Sequence, residues 1–184
     1  MTNNSSINWE KIGIKDLGGL ISETLRQDNI EAVLVGGACV SIYSENKYMS
    51  YDLDFITYED RKTVGKSLKK LGFTEKGKYF QHVDCPFLIE LVSPPAAVGK
   101  ETIHHFQLIP TAFGLLKLLQ DIDCVKDRLA SFYHWSDKQS LKQAIEVCLD
   151  RKINMEELKR WSIEEGFEEK FSLFLHALKR TKHV

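Results

Sequence analysis

The feature that most constrains the fold is a short alternating run, Tyr51-Asp52-Leu53-Asp54-Phe55-Ile56-Thr57. Side chains on a β-strand point alternately to its two faces, so Leu53 and Phe55 share one face and Asp52 and Asp54 the other. Such a strand buries one face in a core and holds a pair of carboxylates side by side on the opposite one. A second apolar run, Ala32-Val33-Leu34-Val35, precedes it and stops at Gly36-Gly37, the pattern of a buried strand running into a tight turn. A third, Phe87 to Val92, is closed by Ser93-Pro94-Pro95, and Glu90 lies in it between Ile89 and Leu91, facing away from both. A carboxylate in an otherwise apolar strand needs a compensating partner. A metal ion is one such partner, and a salt bridge to a helix lysine is the other.

Helical periodicity surrounds these strands. Ile14, Leu17, Leu20, Ile21 and Leu25 give an amphipathic helix over about 14–27, and Ala38 to Ser44 can form two turns after the glycines. A helix from about Glu59 to Leu71 should end at Gly72, followed by a hairpin around Gly77. Phe106 to Ile109 and Leu115 to Leu119 can pair as strands, with a helix over Thr111 to Leu119 as the alternative. Beyond this the pattern is helical. Asp123 is a candidate N-cap for a helix to about His134, Ser136 for one to about Leu149, and Asn154 with Glu157 for a capping box to about Glu165. A last helix covers about Phe167 to Arg180. The expected architecture is α/β (α+β), with a mixed sheet core flanked by helices over 1–122 and a helical subdomain packed on it over 123–184.

Of the 184 residues, 43% are hydrophobic and 28% charged, as in ordinary globular chains. The formal net charge of -1 gives no global case for nucleic acid or an anionic membrane as partner, although a local basic patch remains compatible with it. Met1 to Ser6 is polar, and no apolar run approaches the length of a membrane span, so the expectation is a soluble, cytoplasmic protein with no membrane partner. Cys39, Cys85, Cys124 and Cys148 are scattered through apolar surroundings and read as buried free thiols.

Transfer of phosphoryl or nucleotidyl groups depends mostly on positioned charge: metals that neutralise phosphate oxygens and groups that cradle the phosphate chain. Mg²⁺ takes oxygen ligands from a few carboxylates, completed by water and substrate phosphates. Asp52 and Asp54 with Glu90 as a third carboxylate offer that set. Gly36-Gly37 lets backbone N–H groups approach phosphate at the start of a helix.

The stretch VGGACVSIYSENKYMSYDLDF, Val35 to Phe55, resembles the signature of the DNA polymerase β-like nucleotidyltransferase superfamily, with spacing close to that of its bacterial abortive-infection and minimal branches. The resemblance implies a nucleotidyltransferase-like fold. It implies Asp52, Asp54 and Glu90 as catalytic metal ligands for a pair of Mg²⁺ ions, with Gly36 and Gly37 on the triphosphate of an NTP. Such sequences often carry a serine two residues before the first aspartate, the place of Ser50, which becomes a candidate phosphate contact, with a structural role as a turn residue before the strand as its alternative. They often carry an arginine shortly before that serine, where this chain has Lys47 and Tyr48. Cys124 to Ala144 is similar to a block in uncharacterised bacterial members. Lys126 and Arg128 in this block are candidate triphosphate contacts, but side chains two apart on a helix diverge by about 200°, so both cannot aim at one site. A surface ion pair with Asp123 or Asp127 is their alternative role. His134-Trp135 reads as packing before base stacking.

The expected reaction is Mg²⁺-dependent transfer of an NMP from an NTP to an acceptor hydroxyl, the acceptor (RNA or protein among others) being undetermined. A toxin-type enzyme acting on tRNA, with an antitoxin partner, is one alternative and would require a basic groove. A catalytically inert nucleotide-binding protein is the other.

Overall fold

The structure, a computed structural model, describes residues 7–182. The polar Met1–Ser6 segment lies outside the described residues. After a 3-10 turn at Trp9–Lys11, helix α1 (Ile14–Gln27) leads to β1 (Val33–Val35), α2 (Gly36–Tyr43) and β2 (Asp52–Ile56). Next come α3 (Arg61–Lys69), the hairpin β3 (Thr74–Lys76) and β4 (Tyr79–Gln81), and β5 (Leu88–Val92). Two short strands, β6 (Ala97–Val98) and β7 (Glu101–Thr102), precede the hairpin β8 (Phe106–Thr111) and β9 (Gly114–Leu119). Helices α4 (Asp121–Trp135), α5 (Lys138–Asp150), α6 (Met155–Glu164) and α7 (Glu168–Lys182) complete the chain.

Seven strands form one mixed sheet in the order β3-β4-β5-β2-β1-β9-β8, and β6 pairs with β7 separately. The site depends on its centre. β1 runs antiparallel to β2 with Val35 opposite Asp54, and β2 runs parallel to β5 with Asp54 opposite Glu90. Period-two alternation then sorts the side chains. Leu34, Leu53, Phe55, Ile89, Leu116 and Leu118 are fully buried, while Asp52, Asp54 and Glu90 stay half-buried. α1 and α3 cover the apolar face. Gly18 of α1 has no side chain where it meets Leu116 and Leu34, and Gly65 of α3 lies against Phe80. Burying a Leu or Phe there is worth about 1.5–3 kcal/mol per side chain, which is what enforces the register that turns the carboxylates to the other face.

The C-terminal helices pack on α2 and on one another, with Trp161 and Phe174 fully buried among them and the Tyr133 hydroxyl 2.8 Å from Ser162 Oγ. Their starts differ from expectation at two places. Asp123 is not an N-cap: α4 begins at Asp121 after Gln120, and Asp123 is buried inside its first turn. Ser136 caps no helix N-terminus either. It adopts the left-handed conformation (φ 55°, ψ 31°) and ends α4, its N–H bonded to Phe132 O. Asp137 caps α5 instead, accepting from Gln139 N, because its carboxylate also takes the Ser140 hydroxyl and so satisfies more donors than a serine could. Asn154 caps α6 as expected, accepting from Glu157 N. Residues 114–119 are a strand, paired with β8 along its length. All four cysteines are free and buried. Among the described residues no helix is long and apolar enough to cross a membrane.

Candidate metal centre

Asp52, Asp54 and Glu90 each offer a carboxylate oxygen within 4.8 Å of the others. The parallel β2–β5 register does this by placing Asp54 directly across from Glu90, with Asp52 two residues away on the same face. Asp54 lies deepest. Burial, then the charges of Asp52 and Glu90, push its carboxyl up to about 6, partly opposed by Arg128. Three hard oxygen donors held together against their mutual repulsion suit a divalent cation such as Mg²⁺.

The turn from β1 into α2 is built around Asp54. Gly36 has φ +70°, in the left-handed region, and a Cβ there would lie 2.4 Å from Asp54 Oδ2. Glycine is therefore required twice over, by backbone conformation and by close approach. At Gly37 a Cβ would reach within 3.0 Å of Ser50 Oγ and 3.5 Å of the Tyr48 ring. Ser50 is buried and donates to Asp52 Oδ1 (2.9 Å), and its own N–H donates to Ser41 Oγ (2.9 Å). Its hydroxyl thus orients a carboxylate. Ser41 in turn donates to Gly37 O (3.3 Å), so one chain of bonds joins α2, the α2–β2 loop and Asp52.

The two basic candidates on α4 part company, as helical geometry demands. Arg128 is held by Asp127 and by Gln143, and its charge reaches Asp54. Lys126 is turned elsewhere and buried, bonded to Glu101 at 2.8 Å and Glu157 at 3.0 Å. Burial opposes its charge, and those two bonds more than offset the loss, raising its pKa. Lys47 pairs with Asp150, while Tyr48 accepts from Gln139 Nε2 at 3.4 Å. Trp135 is exposed, and His134 packs edge-on against Phe167.

Sequence reasoning missed Lys78. It sits at the tip of the β3–β4 hairpin and places Nζ 2.9 Å from Glu90 Oε2. That bond raises the lysine pKa. Glu90 thus converges with the aspartates and also pairs with a lysine, one from a hairpin turn where a helix lysine was expected. The sequence carries no signal for it; the pairing of Tyr79 with Glu90 is what sets the hairpin tip beside the acidic strand.

The mixed sheet flanked by helices is a nucleotidyltransferase-like fold. An antigenic nucleotidyltransferase-like protein from Paracoccidioides brasiliensis is similar with a TM-score of 0.56 at 12% identity, covering 91% of this chain and 88% of that one. The solution structure of the antibiotic-resistance factor ANT(2'')-Ia is similar with a TM-score of 0.50 at 14% identity, covering 92% of this chain and 96% of that one. No protein-family model and no curated protein sequence matches the chain.

Proposed function

We propose that the protein is a Mg²⁺-dependent nucleotidyltransferase that moves an NMP from an NTP to an acceptor hydroxyl. The observation that carries this reading is the convergence of Asp52, Asp54 and Glu90 within 4.8 Å, beside a glycine turn that closes on Asp54. The fold likeness supports it. Divalent ions held by the three carboxylates would neutralise triphosphate oxygens and make the acceptor hydroxyl more acidic.

The remaining work belongs to the chain's own groups. The Gly36-Gly37 backbone can approach phosphate oxygens closely because no side chain intervenes. Ser50 fixes the rotamer of Asp52 through its bond to Oδ1. Arg128, restrained by Asp127, adds positive potential beside Asp54 where phosphate charge would gather. One of the carboxylates accepts the acceptor proton as the acceptor oxygen bonds to the α-phosphorus. The bond from that phosphorus to the bridging oxygen breaks, and pyrophosphate leaves with the electron pair. In this reading 1–122 supply the catalytic groups, and the helices of 123–184 contribute Arg128 and one wall of the nucleotide site.

Calorimetry of ATP binding with and without Mg²⁺ tests the proposal. Binding should need the metal and vanish in Asp52→Asn/Asp54→Asn. Metal-independent binding, or binding indifferent to the double substitution, would overturn it.

A further inference from the structure

The formal charge of the whole chain hides a sharp segregation. Between Arg61 and Lys78 lie seven of its 25 Lys and Arg residues, with Glu75 the one acid among them. That segment carries +6, which leaves -7 for the rest of a chain whose total is -1. The fold sets four of these cations, Arg61, Lys62, Lys66 and Lys69, along a groove of about 540 Å³ between α3 and the β3–β4 hairpin. Their spacing along α3 places all four on one side of the helix. Lys62, Lys66 and Lys69 are exposed and form no ion pair among the described residues. The acid in the groove is already engaged, Glu75 being paired with Arg61.

The groove opens on the α3 side of the sheet, opposite the carboxylates, and the hairpin tip joins the two. Arg61 donates to Gly77 O at 3.2 Å, and the next residue, Lys78, reaches Glu90. A cationic path therefore runs from α3 around the sheet edge to the acidic centre. Clustered, unpaired lysines repel one another, and an extended polyanion along the groove relieves that repulsion while releasing its own counterions.

We propose that this groove binds the phosphate backbone of single-stranded nucleic acid. Resting on the nucleotidyltransferase reading, it makes the acceptor a nucleic-acid hydroxyl brought over the hairpin tip to Asp52, Asp54 and Glu90. Phe73 and Phe80 are buried in the groove floor, so recognition there is through phosphate and not through base stacking.

The test uses the full chain and a fluorescein-labelled single-stranded RNA of mixed sequence, followed by anisotropy in EDTA without nucleotide, so that metal and NTP play no part. Binding should weaken with salt, and Lys62→Gln/Lys66→Gln/Lys69→Gln should weaken it at least about tenfold and flatten the log K against log salt slope by about 2. Lys138→Gln/Lys142→Gln, on α5, should leave both quantities nearly unchanged. Labelled single-stranded DNA in parallel separates RNA from DNA as the source of the backbone. Absence of RNA and DNA binding, equal losses in the two lysine variants, or displacement by polyglutamate as effective as by RNA would each overturn the groove. Asp52→Asn/Asp54→Asn should retain RNA binding, so failure of the groove and failure of the catalytic reading are separately visible.

Discussion

Replacing Asp54 by asparagine should stabilise the metal-free protein at neutral pH, and divalent metal should reverse the ranking. An ordinary aspartate titrates near 3.8, and burial together with Asp52 and Glu90 moves this one to about 6. A raised carboxyl means the fold prefers the protonated form. The stability it supports is fully present below the unfolded value and is lost as pH rises from about 4 through about 6. By pH 7 the ionised group costs about 3 kcal/mol, an upper figure because relaxation and water entry soften it. Asp54→Asn keeps the shape, removes the charge and should recover part of this. For a chain of this length, a gain of about 1–2 kcal/mol is a rise of about 3–6 °C in Tm. Thermal melts in EDTA between pH 4 and 8 should show wild type falling relative to Asp54→Asn above pH 5 and converging with it at pH 4. With millimolar Mg²⁺ at pH 7.5 the wild type should gain stability and the variant should not. A wild type equal to or more stable than the variant in EDTA at pH 7.5 would refute the electrostatic account. Metal stabilisation of both proteins alike would refute the assignment of the ligand.

Two further substitutions probe the same centre from its edges. Lys78→Met removes the cation now paired with Glu90, so Mn²⁺ affinity, read by electron paramagnetic resonance, should rise by about threefold to tenfold as competition at the carboxylate ends; unchanged or weaker Mn²⁺ binding would show that the lysine does not compete. Gly36→Ala adds a methyl 2.4 Å from Asp54 Oδ2 at a φ of +70° and should cost about 1–2 kcal/mol from the backbone alone. Urea melts measure that loss, and Mg²⁺-dependent ATP binding should fall more steeply than stability because Asp54 must move.

The site was legible where period-two alternation governs. Asp52 and Asp54 share a face because Leu53 and Phe55 are buried, and Glu90 faces away from Ile89 for the same reason. The two hairpins were legible from their turns, but the order of the other strands was not, because it is set by packing over the whole chain. Without the pairing of β4 with β5, nothing in the sequence says that Lys78 stands beside Glu90. Helix starts failed where several capping residues crowd together. Ser136 and Asp137 both suit an N-cap, and the choice turned on which could satisfy Gln139 N and Ser140 Oγ at once. On α4, the 3.6-residue period foretold that Lys126 and Arg128 diverge. Which of them faces the acidic centre depended on the placement of Glu101 and Glu157, on β7 and α6, which bind Lys126.

The electrostatics also constrain the order of events under the nucleotidyltransferase reading. Three converging carboxylates present a negative surface, and a free triphosphate is repelled by it at short range. Arg128 is already engaged with Asp127, and Lys78 with Glu90, so neither nearby cation is wholly available to an incoming nucleotide. Triphosphate affinity at this centre must therefore arrive with the divalent ion, either as a chelate or after the ion has bound. The α3 groove has the opposite sign and no such requirement. Nucleotide and polyanion would then approach from opposite faces of one sheet under opposite rules, the first dependent on metal and the second on ionic strength. The hairpin tip is where those rules meet, because displacement of Lys78 from Glu90 by a metal ion would free an ammonium at the end of the cationic path.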